Sequence, residues 1–137
     1  MNPEIYTERS RGFVQSAQTL AQRSGHQRLL PEHLLKVLLD DKEGLAANLM
    51  RAAGADPQRA LAQVEAELAR QPKVEGGGAG QVFLSPELGR VFEQAEAAAQ
   101  KAGDDFVTAE RLLLALVIVP GTPAQKILAE ARLSAQS

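Results

Sequence analysis

Sliding the chain along itself by 78 residues, the distance from Thr7 to Ser85, superimposes its two halves without a gap. Ala17 then meets Ala95, Ala21 meets Ala99, Gln22 meets Gln100 and Gly25 meets Gly103. Glu32 meets Glu110, and Leu34, Leu35 and Leu38 meet Leu112, Leu113 and Leu116. Ala46 falls on Ala124 and Ala53 on Ala131. Shared alanines and leucines alone would mean little in a helix-rich chain. The shared glycine-to-glutamate spacing, and a hydroxyl residue at both Thr7 and Ser85, make a tandem repeat. One structural unit is used twice, and the copies must bury their apolar faces together.

Each copy reads as helices. After the cap at Thr7, apolar residues recur at Val14, Ala17, Leu20 and Ala21, and Gly25 is a stop. Pro31 opens a second helix with Glu32 in its first turn. Its leucines and Val37 make it apolar on nearly every side, so it must lie inside. Asp40, Asp41 and Gly44 break it. A third helix runs to Gly54, and Asp56-Pro57 caps a fourth that reaches about Arg70. Residues 71–83, with a glycine-rich stretch at 76–80, read as a flexible linker. The pattern restarts at Ser85-Pro86, with further caps at Thr108 and Thr122-Pro123. Alanine and leucine dominate while aromatics make up 4%, a composition that favours helix over strand.

The expected fold is all-α, with two tandem pseudo-twofold-related repeats and seven or eight helices in one domain over residues 1–137. Repeat one covers 1–70 and repeat two covers 84–137. The second copy reaches a cap position at Ser134 without a fourth helix, so the chain reads as a piece of something longer.

Several function classes find no support. Without cysteine there is no disulfide framework and no thiol nucleophile. The net charge is −2, and no basic stripe suggests nucleic acid. The apolar run at 112–119 is far short of the roughly 20 residues a membrane span requires. With no signal-peptide pattern either, a soluble, cytoplasmic chain is expected. Gly80 is followed by Gln81 and Val82, not by the Lys and Ser or Thr of a phosphate loop. His26 and His33 are the only histidines. His26 reads as an exposed residue between helices and His33 as part of a helix face, without metal-ligand spacing. The serines lie on helices or at caps, and Asp40-Asp41 and Asp104-Asp105 read as solvated turns. No catalytic, cofactor or metal site is expected; binding through a groove between the copies is. Phe13, Val14, Val91 and Phe92 widen the apolar face of each first helix. The valines read as core, and Phe13 and Phe92 as candidate substrate contacts.

At this point the residues resemble a known family. The double repeat looks like the N-terminal domain of the Clp/Hsp100 AAA+ chaperones. Three segments narrow the likeness to its disaggregase branch: Arg70-Gln71-Pro72-Lys73-Val74-Glu75-Gly76, Gly54-Ala55-Asp56-Pro57 and Gln100-Lys101-Ala102-Gly103-Asp104-Asp105-Phe106-Val107. The resemblance implies a domain that engages unfolded or aggregated client proteins for a homohexameric ATPase ring working with the DnaK system. ATP and Mg would belong to the full-length protein, not to this chain. By the same resemblance Thr7, Asp104 and Glu110 are implied in client handling, and Phe92 matches the family's apolar groove. Gln94, Ala98 and Arg111 stand where some relatives carry leucine and are not carried over. The alternative is an adaptor-docking domain of a ClpA- or ClpC-type protease unfoldase.

Overall fold

The computed structural model describes residues 1–74 and 81–133. A 3-10 turn at Pro3–Ile5 precedes α1 (Glu8–Arg23), α2 (Pro31–Leu39), α3 (Leu45–Ala52) and α4 (Pro57–Ala69). The second copy gives α5 (Pro86–Lys101), α6 (Ala109–Ile118) and α7 (Pro123–Glu130). The glycine-rich stretch at 76–80 and the expected cap at Ser134 lie outside the described residues.

Local chemistry sets the helix ends. Thr7 Oγ1 accepts from the Ser10 N–H and Ser85 Oγ from the Leu88 N–H, both at 3.1 Å. These equivalent caps start α1 and α5. Asp56, Thr108 and Thr122 cap α4, α6 and α7 in the same way. Gly25 and Gly103, with φ of +74° and +77°, turn the chain out of the two long helices. After α7 the equivalent of Gly54 is Arg132, which holds a φ of +74° with a side chain attached.

The two most apolar helices do lie inside. Leu34, Leu35 and Leu38 of α2 and Leu112 and Leu116 of α6 are fully buried. Each such side chain contributes about 1.5–3 kcal/mol through loss of apolar surface to water. The α2 helix packs on α1, α4, α6 and α7, so it is shared between the copies.

Two short parallel pairings were not expected from the sequence. Strand β1 (Arg28–Leu29) pairs with β2 (Phe83–Leu84), Arg28 opposite Phe83 and Leu29 opposite Leu84. Phe83, read as linker, is therefore strand. On the other side Tyr6 bridges Val107, also in parallel. Ser85 donates its N–H to Leu29 O and Thr7 donates its N–H to Val107 O, both at 3.1 Å. These bonds are one contact repeated under the 78-residue shift. The lead-in to the first helix of each copy is thus held by the strand of the other copy.

Two further ties cross between the repeats. The Asp56 N–H donates to Ala131 O at 2.9 Å. Glu32 Oε2, on buried α2, accepts from the Ala124 N–H in the first turn of α7 at 3.0 Å. Burial first, then the nearby Glu67 and Glu87 carboxylates, push the Glu32 carboxyl up to about 7, against the pull of the Ala124 bond.

Candidate functional site

The crossed pairing brings Thr7 to the stretch that carries Asp104 and Glu110. Both the Thr7 N–H and the Ser10 hydroxyl donate to Val107 O, the hydroxyl at 2.8 Å. Ser10 Oγ accepts in turn from the Thr7 hydroxyl at 2.9 Å. Thr7 is therefore both the cap of α1 and one jaw of a clamp on residue 107. Asp104 lies three residues before that point and Glu110 three residues after it, on the first turn of α6. Both are exposed. Asp104 pairs with Arg111 at 2.8 Å.

A groove of about 460 Å³ opens beside this clamp, lined by Ile5, Glu96, Ala99, Gln100 and residues 103–107. The Tyr6 hydroxyl donates to Glu96 Oε2 at 2.6 Å, and its ring meets Phe92 edge-on at 6.1 Å. Burial and the Glu96 carboxylate push the Tyr6 phenol up, so it stays a neutral donor. Phe106, on the groove, is 52% exposed. The sequence reading did not single it out. The signal was present: Phe106 sits between the Gly103 stop and the Thr108 cap, where no helix offers it a buried face.

Phe13 and Phe92 occupy other places. Phe92 is 2% exposed and Phe13 is 9% exposed, so both rings fill the core. The Arg9 guanidinium lies over the Phe13 ring at 5.8 Å, closing its outer side. In this structure neither ring offers a surface to a client. The breadth of the Phe92 face is taken up by the first copy, where Tyr6 receives its ring.

The histidines require a correction. His26 is not an exposed residue between helices: it is 5% exposed. Its Nδ1 lies 2.8 Å from His33 Nε2, and His33 Nδ1 accepts from the Leu30 N–H at 2.9 Å. His33 does the work of a cap for α2, whose N-cap residue Leu30 has no side-chain oxygen. Burial, followed by the neighbouring His26, pulls His33 down to about 4. Burial and the charge of Lys73 lower His26. Among the described residues no three His, Cys, Asp or Glu side chains converge on a metal-sized site. No single helix is long and apolar enough to cross a membrane.

Known proteins share this sequence and fold. Residues 5–131 match the family described as Clp repeat (R) N-terminal domain. The chain is 53% identical over its whole length to chaperone protein ClpB of Rhodopseudomonas palustris. It is 52% identical, again over its whole length, to ClpB of Mesorhizobium japonicum. In both cases it spans 16% of the relative's length. The N-terminal domain of Hsp104 from Candida albicans superimposes with a TM-score of 0.82 at 22% identity, covering 96% of this chain and 84% of that one. The N-terminal domain of the ClpV1 ATPase from E. coli gives 0.79 at 23% identity, covering 97% and 80%. With the repeat, the crossed strands and the sequence match in agreement, the chain belongs to the Clp repeat N-terminal domain family, in the form carried by ClpB chaperones.

Proposed function

We propose that the chain binds exposed apolar segments of unfolded or aggregated proteins at the groove beside Phe106. Thr7, Asp104 and Glu110 are the polar positions around it. The observation that carries this reading is Phe106 itself. A large ring left half in water on a groove is an anchor for apolar partners. Asp104 and Asp105 at the same lip favour client segments that carry lysine or arginine beside their apolar residues. Contact of this size gives weak, sequence-tolerant binding. In the longer protein, by this proposal, the domain captures clients for an ATP- and Mg-dependent homohexamer that works with the DnaK system in the cytoplasm.

NMR titration of the chain with a permanently unfolded model protein tests the site. Shifts should cluster at residues 103–107 and Ile5. Phe106→Ala should weaken binding about fivefold, equivalent to roughly 1 kcal/mol, without changing stability. Silence at these residues with millimolar client would sink the proposal. Saturable binding to a folded adaptor but not to unfolded protein would favour the adaptor-docking alternative.

A further inference from the structure

We propose that the loop at residues 26–28, the pseudo-twofold counterpart of residues 104–106, forms an anion pocket that takes a carboxylate or phosphate group. This site is separate from the client groove. The histidine pair fixes its own tautomers. His33 Nδ1 accepts the Leu30 N–H, so it carries no proton. Neutral His33 must then hold its proton on Nε2 and donate it to His26 Nδ1. Neutral His26 is left with its proton on Nε2. That atom is buried and has no hydrogen-bond partner among the described residues. Buried donors without partners are rare in folded proteins, and each calls for an explanation.

The surroundings say what would satisfy it. His26 borders a cavity of about 120 Å³ whose walls include Arg28, Gln71 and Pro72. Among the described residues no carboxylate lines it. Arg28 has no ion-pair partner among the described residues, and the charge of Lys73 is felt at His26. One unpartnered buried donor and the Arg28 side chain therefore border the same cavity, with the Lys73 charge close by. An apolar guest would leave the N–H unpaired. A metal ion would find a protonated nitrogen and two positive charges. An oxyanion accepts from Nε2 and neutralises Arg28 in one placement, a charge-assisted arrangement. Entry requires a small shift of residues 71–74, which rest on this loop through the bond from the Val74 N–H to Gly25 O at 2.8 Å.

The test is NMR of histidine side-chain nitrogens on the whole chain, titrated separately with inorganic phosphate and with acetate at constant ionic strength and pH. A saturable shift of His26 Nε2 is expected. Arg28→Gln should weaken it about tenfold, the scale of one charge-assisted bond, while Phe106→Ala should leave it unchanged. A response to acetate alone assigns the pocket to carboxylates, and one to phosphate alone to phosphates. No saturable shift with either ion overturns the proposal. So does a shift that persists at full strength when Arg28 and Lys73 are both changed to Gln. Because Phe106→Ala affects only the client groove, failure here and failure of client binding are read apart.

Discussion

Residues 25–29 and 103–107 occupy equivalent places in the two repeats and carry opposite chemistry. Both begin with a left-handed glycine and end in a residue that accepts a hydrogen bond from the other repeat's cap. Between those points one reads His-Gln-Arg and the other Asp-Asp-Phe. The polar pair spanning each loop and its following helix is also equivalent. His26 with His33 is buried and neutral; Asp104 with Arg111 is charged and half in water. Duplication supplied two copies of one frame. The frame fixes the backbone, and the loops are then free to diverge in charge and exposure.

That contrast can be broken at the polar pair, where the largest effect is expected. His33→Ala removes the cap on the Leu30 N–H, orphans His26 Nδ1 and leaves a cavity in the core. It should cost about 3 kcal/mol in urea unfolding. Arg111→Ala, at the equivalent position, should cost less than about 1 kcal/mol, because its ion pair is solvated. Equal losses would mean that the two loops are supported in the same way after all.

A second experiment sharpens the comparison between Glu32, buried in the first repeat, and Glu110, exposed in the second. The Glu32 carboxyl is raised to about 7, so the folded state binds more protons than the unfolded state between about pH 4.5 and 7. Its contribution is fully present below that window and is lost as pH rises through it. His33 is lowered to about 4, so the unfolded state binds more protons between about pH 4 and 6.5. Its contribution is lost as pH falls. The Glu32 slope opposes the histidine slope where the two overlap, and the intact chain should show partial cancellation there. Glu32→Gln should expose the histidine slope, a loss on the order of 2 kcal/mol from pH 6.5 to 4. Glu110→Gln, at the exposed counterpart, should change stability by less than about 0.5 kcal/mol. Chemical denaturation across this range measures both variants.

The smallest effect lies at the helix ends. Arg132 holds a conformation that its counterpart Gly54 adopts freely. Arg132→Gly should stabilise the chain by up to about 1 kcal/mol. A thermal melt in which the variant is less stable would show that the arginine side chain repays its strain elsewhere.

Helices, caps and the buried pair α2 and α6 were legible because their causes are local. Hydroxyl caps, N1 prolines and 3.6-residue periodicity lie within a few residues of what they determine. The crossed strands were not legible. Arg28-Leu29 and Phe83-Leu84 are too short to show alternation, and their partners are set only when the repeats meet. The same reason explains the site. Thr7, Asp104 and Glu110 came from resemblance, and Thr7 reaches residue 107 only through the crossing. Phe92 looked too bulky for its helix face because Tyr6 of the other copy was not visible as its partner, and Phe13 because nothing placed the Arg9 guanidinium over its ring. His26 looked exposed because it follows a glycine stop, and nothing in its neighbourhood announced His33 as its partner.

The crossing also bears on how the chain comes to be folded. Ser10 binds residue 107 across 97 positions, and Glu32 reaches residue 124 across 92. A first repeat emerging from the ribosome has its helices but not the strand that holds its entry. It must wait for the second before it can close. Contacts of such span slow closure and make it cooperative. They also define complementary fragments. Cleaved between the repeats, the halves should reassociate instead of folding singly, and two intact chains at high concentration could trade them.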